Sequence, residues 1–139
     1  MNTVNVRKVE IGKGIPKICV PVVGITRDDI IDAACKAKET ADLVEWRADW
    51  YEDVLDFKKT EKMMEELRET LGDIPLLFTF RTLKEGGEKE IEKSVYVKLN
   101  EMAVKTGFAD LVDAEAFTGT DEVNTIVETA HLYGVKVIA

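Results

Sequence analysis

Glu45-Trp46-Arg47-Ala48-Asp49 places three charges at alternate positions at the end of an apolar run. In a strand, alternate residues share a face, so these three side chains point one way. Charges on the interior of a sheet are costly unless paired or used. Either they form a structural ion-pair cluster or they face a ligand. Arg81 follows Leu77-Phe78-Thr79-Phe80 without a polar buffer. Its planar fork matches a carboxylate, and the alternative is a salt bridge to Glu45 or Asp113. Glu85-Gly86-Gly87-Glu88 comes next. There the glycines permit positive φ or close backbone approach, or simply make a turn. Asp113 and Glu115 again share one face, suited to orienting the arginines or another catalytic group.

The remaining chemistry-bearing residues are sparse. His131 is the single histidine. It falls in the last turn of a helical segment, where a cation suits the helix dipole. No histidine pair or cysteine cluster suggests a metal. Cys19 and Cys35 read as reduced core thiols rather than a disulfide, since cytosolic chains rarely carry one. Lys136, between Val135 and Val137, points outward or toward the lower end of the sheet.

The elements that must position these groups alternate. Residues 4–11 have a period of two, which predicts a short hairpin, and Gly12 to Pro16 make a turn. Apolar runs at 17–23, 42–47, 74–81, 108–115 and 135–139 read as five strands, the first and last of them buried. Pro21 lies inside the first run, so it belongs near a strand end or an irregularity. Between the runs lie four helices. The first follows Thr26-Arg27-Asp28-Asp29, a capping-box variant, with Ile30, Ile31, Ala33, Ala34 and Ala37 as its stripe. The second covers 56–71 and stops at Gly72. The third covers 91–106, with Val95, Leu99, Met102 and Ala103 inward. The fourth covers 121–133 and stops at Gly134.

Such alternation implies a parallel sheet with right-handed crossovers. Two architectures fit: an open doubly wound sheet, or the first half of a (β/α)8 barrel, which typically needs about 250 residues. A glycine-rich phosphate loop between strand and helix is missing, which favours the barrel. Charges at the carboxyl ends of strands are where such folds place chemistry.

At 139 residues and 45% apolar the chain suits one domain. Its net charge of −8 argues against a nucleic-acid partner. No run approaches the ~18 apolar residues of a membrane span, and the N-terminus lacks a signal-peptide pattern. A cytoplasmic protein is the expectation.

These segments resemble a known family. Lys17-Ile18-Cys19-Val20, Glu45-Trp46-Arg47-Ala48-Asp49, the run from Ile74 to Arg81, Glu85-Gly86-Gly87-Glu88, Tyr96-Val97-Lys98-Leu99-Asn100, Leu111-Val112-Asp113-Ala114-Glu115 and Val135-Lys136-Val137-Ile138 are similar in order and spacing to type I 3-dehydroquinate dehydratases. The resemblance implies an α/β chain. Residues 1–139 would be a single domain, the N-terminal half of a (β/α)8 TIM barrel, with a hairpin at 1–16 and five strands and four helices at 17–139.

It also implies a lyase of the shikimate pathway that converts 3-dehydroquinate to 3-dehydroshikimate. In that family a lysine forms a Schiff base with the substrate ketone and a histidine moves the adjacent proton, with no cofactor or metal. Carried over, Glu45, Arg47 and Arg81 contact substrate hydroxyls and carboxylate, and Glu85 orients the catalytic histidine. Asp49, Asp113 and Glu115 support the arginines. The family's histidine and lysine belong to a later part of its sequence that this chain does not contain, and His131 and Lys136 do not align with them. Pro21 stands where some members have serine. The chain alone is therefore expected to be inactive. The alternative is a non-catalytic, self-associating half-barrel that binds a small carboxylate or anion. A homodimer or higher homo-oligomer is expected, because a half-barrel leaves two sheet edges open.

Overall fold

The computed structural model describes residues 2–116 and 118–139. A hairpin of β1 (Val4–Val6) and β2 (Val9–Ile11) comes first. Five parallel strands follow: β3 (Cys19–Val22), β4 (Leu43–Arg47), β5 (Leu76–Thr79), β6 (Leu111–Asp113) and β7 (Lys136–Ile138). The crossovers are α1 (Arg27–Ala37), α2 (Phe57–Leu71), α3 (Lys93–Lys105) and α4 (Thr120–Leu132).

Sheet order is β3-β4-β5-β6-β7, the order of the chain. A doubly wound sheet reverses its order at a switch point; this one does not. Helices pack in sequence, α1 on α2, α2 on α3 and α3 on α4. The order is that of a barrel wall.

One core lies between strands and helices. Val22, Val44, Trp46, Leu76, Phe78 and Val112 meet Ile30, Met64, Leu67, Leu99, Ala103 and Ile126 there. By the period of two, the alternate strand positions face the opposite way. They include Cys19, Pro21, Glu45, Arg47, Leu77, Thr79, Leu111, Asp113, Lys136 and Ile138. The hairpin covers the amino end of this face, where Val6 joins Leu77 and Leu111 in a second apolar cluster flanked by Ile11. The carboxyl end is uncovered.

The open face corrects several expectations. β3 and β7 are not buried on both sides; their outward positions Cys19, Pro21, Lys136 and Ile138 are exposed. Pro21 keeps its expected place near a strand end: it is the next-to-last residue of β3, opposite Glu45, on an edge strand that tolerates a missing donor. Both cysteines are free, but neither is in the core: Cys19 faces the open side and Cys35 the outer side of α1. In α3 the inward face is Tyr96, Leu99, Asn100, Ala103 and Val104, leaving Val95 and Met102 as half-buried flanks. The capping expectation holds at the hydroxyl, where Thr26 accepts from the Asp29 N–H at 3.2 Å.

Arginine–carboxylate bonds fasten the hairpin. Arg7 has φ of 52°, a conformation uncommon for a side chain of this kind. Its Nε donates to Asp110 Oδ1 at 2.8 Å and its Nη1 to Asp73 Oδ1 at 3.0 Å. Asp110 Oδ2 also accepts from Arg68 Nη1 and from the Leu76 N–H, both at 2.9 Å. Arg68 further donates to the Phe108 carbonyl at 3.1 Å and to that of Ile74. Asp110 thus joins hairpin, α2, β5 and β6 at the amino end of the sheet.

Candidate functional site

At the carboxyl end the strands stop early and short turns follow. β4 ends at Arg47, and Ala48–Trp50 form a 3-10 turn. The expected strand-like alternation of Glu45, Arg47 and Asp49 therefore breaks after Arg47. Asp49 turns inward and is 0% exposed. Arg47 Nε donates to Asp49 Oδ1 at 3.0 Å and Nη2 to Oδ2 at 2.8 Å. This two-point pairing fixes the guanidinium plane. The Arg81 N–H reaches Oδ1 and the Glu88 N–H reaches Oδ2, both at 3.2 Å. A fully buried carboxylate satisfied by these four donors is what low dielectric demands.

Glu45 lies one step lower on the open face, and its Oε2 accepts from Thr79 Oγ1 at 2.8 Å. Arg81, beyond the end of β5, turns toward β6. Its Nη2 donates to Asp113 Oδ2 at 2.7 Å, and its Nη1 lies 3.6 Å from Glu115 Oε2. Glu115 also accepts from the Thr82 N–H at 3.0 Å and Thr82 Oγ1 at 2.8 Å. Glu45, Arg47, Arg81, Asp113 and Glu115 thus line one end of one face, with Asp49 behind them.

The electrostatics follow this pairing. Hydrogen bonds to Asp49 raise the Arg47 pKa above its ordinary value, against partial burial. Burial opposes the charge on Arg81, but the carboxylate of Asp113, helped by Glu115 and Glu45, outweighs it and leaves the pKa raised. Burial pushes the Asp113 carboxyl above the usual range, and Arg81 pulls it back. Both arginines keep their charge and remain partly open, at 22% and 28% exposed. Two fixed cations beside a partly accessible Glu45 can hold a small, hydroxylated carboxylate.

The turn Leu83–Glu85 carries Glu85, whose side chain is exposed and makes no hydrogen bond or ion pair among the described residues. It stands at the same end but outside the network. The glycines after it have distinct roles. Gly86 has φ of 90°, and a Cβ on Gly87 would lie 1.7 Å from the Arg81 carbonyl oxygen. The chain therefore crosses directly over the backbone of Arg81.

Lys89 clasps this loop to the end of β4. Its Nζ donates to the carbonyls of Asp49 at 2.5 Å and Tyr51 at 3.0 Å. Sequence reading missed Lys89, Thr79 and Tyr96. Thr79 was within reach, since it shares a face with Leu77 and Arg81. Lys89 was not, because no periodicity connects a loop lysine to carbonyls on another strand. His131 is exposed near the end of α4. Lys136 lies on the open face opposite Leu111, one level nearer the hairpin than Asp113, so of its two expected placements it takes the lower end.

The chain is 53% identical over 136 residues to the 3-dehydroquinate dehydratase of Clostridium botulinum (strain Eklund 17B / Type B), covering 97% of this chain and 54% of that protein. Its fold superposes on the crystal structure of the type I enzyme from Clostridium difficile, solved with covalently modified comenic acid. There the TM-score is 0.96 at 44% identity, over 98% of this chain and 54% of that one. The 3-dehydroquinate dehydratase from Geobacillus kaustophilus HTA426 gives 0.93 at 30% identity, covering 98% and 53%. The chain spans about half the length of the relatives it matches. The fold is accordingly half of an α/β barrel behind an N-terminal hairpin. The model of the type I 3-dehydroquinases matches residues 18–139, and the chain belongs to that family.

Proposed function

We propose that this chain forms the substrate-holding side of a cytoplasmic 3-dehydroquinate dehydratase, an enzyme that removes water from 3-dehydroquinate through a lysine Schiff base. The observation that carries the reading is the pair of clamped, partly open arginines at the uncovered end of the sheet. Arg81 and Arg47 hold the substrate carboxylate and a hydroxyl, and Glu45 accepts from another hydroxyl. Asp49, Asp113 and Glu115 keep the arginines charged and oriented. Glu85, free at the rim, orients the histidine that moves the proton.

The chain alone does not catalyse the reaction. Pro21, Glu45, Arg47, Thr79, Asp113 and Ile138, the strand positions around the uncovered end, include neither a lysine nor a histidine. Lys89 is engaged by carbonyls. Incubation with 3-dehydroquinate and borohydride, followed by intact mass measurement, tests this. The expected result is an unchanged mass and no turnover, together with substrate binding that Arg81→Ala weakens. An adduct with turnover overturns the inactivity, and unchanged binding in Arg81→Ala overturns the substrate contact.

A second reading, a self-associating module that binds an anion without catalysis, has its own support. Large apolar side chains are exposed near both edge strands: Ile18 and Val23 flank β3, Leu132 and Tyr133 precede β7, and Ile138 lies within it. Apolar surface gathered at open edges favours a second copy of the chain. Sedimentation equilibrium at micromolar concentration should give a homodimer or larger homo-oligomer. A monodisperse monomer with protected β7 amides refutes it.

A further inference from the structure

The β5–β6 ladder is short, pairing Leu77 with Leu111 and Phe78 with Val112. On the other side of β6, the Asp110 carbonyl and the Ala114 N–H bond to β7. By alternation, the Asp113 carbonyl and the Glu115 N–H point toward β5 beyond its last paired residue. The Tyr96 hydroxyl takes the vacant place. It accepts from the Glu115 N–H at 3.0 Å and donates to the Asp113 carbonyl at 3.3 Å. The residue is 1% exposed, and its ring stands edge-on to Phe80 with centroids 6.4 Å apart. These two bonds bracket the segment whose side chains hold Arg81 and Thr82: Asp113 on Arg81 Nη2 at 2.7 Å, and Glu115 on Thr82.

We propose that Tyr96 is a positioning residue for Arg81, its hydroxyl fixing the main chain of residues 113–115 so that Asp113 and Glu115 aim the guanidinium at the substrate. The proposal deepens the reading of the substrate site given above and rests on it. Burial pushes the phenol up to about 12, so the hydroxyl keeps its proton at neutral pH. Arg47 is clamped by Asp49, which meets Arg81 only at its main-chain N–H, so turning the Arg81 guanidinium leaves Arg47 in place.

Tyr96→Phe keeps the ring and removes only the hydroxyl. Arginine side-chain Nε–H signals and backbone amide exchange are to be recorded by NMR on the wild type and the variant, followed by titration with 3-dehydroquinate. In Tyr96→Phe the Glu115 amide should exchange about tenfold faster. The Arg81 Nε–H signal should move toward that of free arginine, while the Arg47 signal stays in place. Substrate affinity should fall about tenfold, and adding Arg81→Ala should then weaken binding by less than it does in the wild type. An unchanged Arg81 signal, or equal movement of Arg47 and Arg81, overturns the proposal, the latter because it marks general loosening. If the wild type binds no substrate, the substrate reading fails. The two arginine signals still decide whether Tyr96 positions Arg81.

Discussion

Two arginine–carboxylate clusters stand at opposite ends of the same strands, built from the same side chains for different ends. At the amino end, Asp110 receives Arg7, Arg68 and the Leu76 N–H, and Arg68 adds two carbonyls. Arg68 is 13% exposed, and burial lowers its pKa. Its two Nη groups are directed at protein acceptors that tie helix and strands together, while its buried Nε has no partner among the described residues. At the carboxyl end, Asp49 and Asp113 each grip one side of a guanidinium and leave part of it open. The upper cluster orients charge toward an uncovered face; the lower one consumes its charge in cross-links. Presence of arginine does not separate a site from a staple. What separates them is how much of the fork remains free, and toward which face.

The largest effect should come from breaking the lower cluster. Asp110→Ala leaves Arg68 buried without its carboxylate and should cost about 3–5 kcal/mol of stability, measured by urea unfolding, with substrate affinity unchanged in the molecules that remain folded. A smaller loss with weakened binding would show that the two ends are coupled. Asp49→Asn keeps the shape but turns one accepting oxygen into a donor facing other donors. It should cost about 1.5–3 kcal/mol and release Arg47, so both stability and binding fall. Arg81→Ala sharpens the contrast. It should weaken substrate binding by about 1.5–3 kcal/mol in a calorimetric titration while moving the unfolding midpoint little.

The smallest effect belongs to Asp73, bonded first by Lys8 and then by Arg7, which hold its pKa below the ordinary 3.8. A lowered carboxylate stabilises the fold above its ordinary value and loses that contribution as pH falls through the lowered one. The stability difference between wild type and Asp73→Asn should therefore be fully present at neutral pH and close below pH 3.8. A difference that persists or grows in acid would contradict the assignment.

The sequence made the alternation of strands and helices legible, because each apolar run and each capping or glycine stop is local. It also identified the charged strand ends, and five of those residues do converge at one end of one face. Besides Lys89, three things were hidden. Asp49 looked like one more residue in the alternation, since nothing local shows that β4 gives way to a 3-10 turn after Arg47. The exposure of Cys19 and of β7 depends on what covers the sheet, which a run of apolar residues does not state. Tyr96 lay outside the expected stripe of α3, because the helix face was placed one residue out of phase. A one-residue error turns a helix by about 100°, enough to exchange the flank for the interior.

The most direct test is an arginine side-chain NMR titration of the wild-type chain with 3-dehydroquinate, following the Nε–H signals of Arg7, Arg47, Arg68 and Arg81 together. The expected result is a saturable shift of Arg47 and Arg81 with Arg7 and Arg68 stationary. Movement of the amino-end pair, or no movement of the carboxyl-end pair at saturating substrate, would contradict the division of the molecule into a staple and a site.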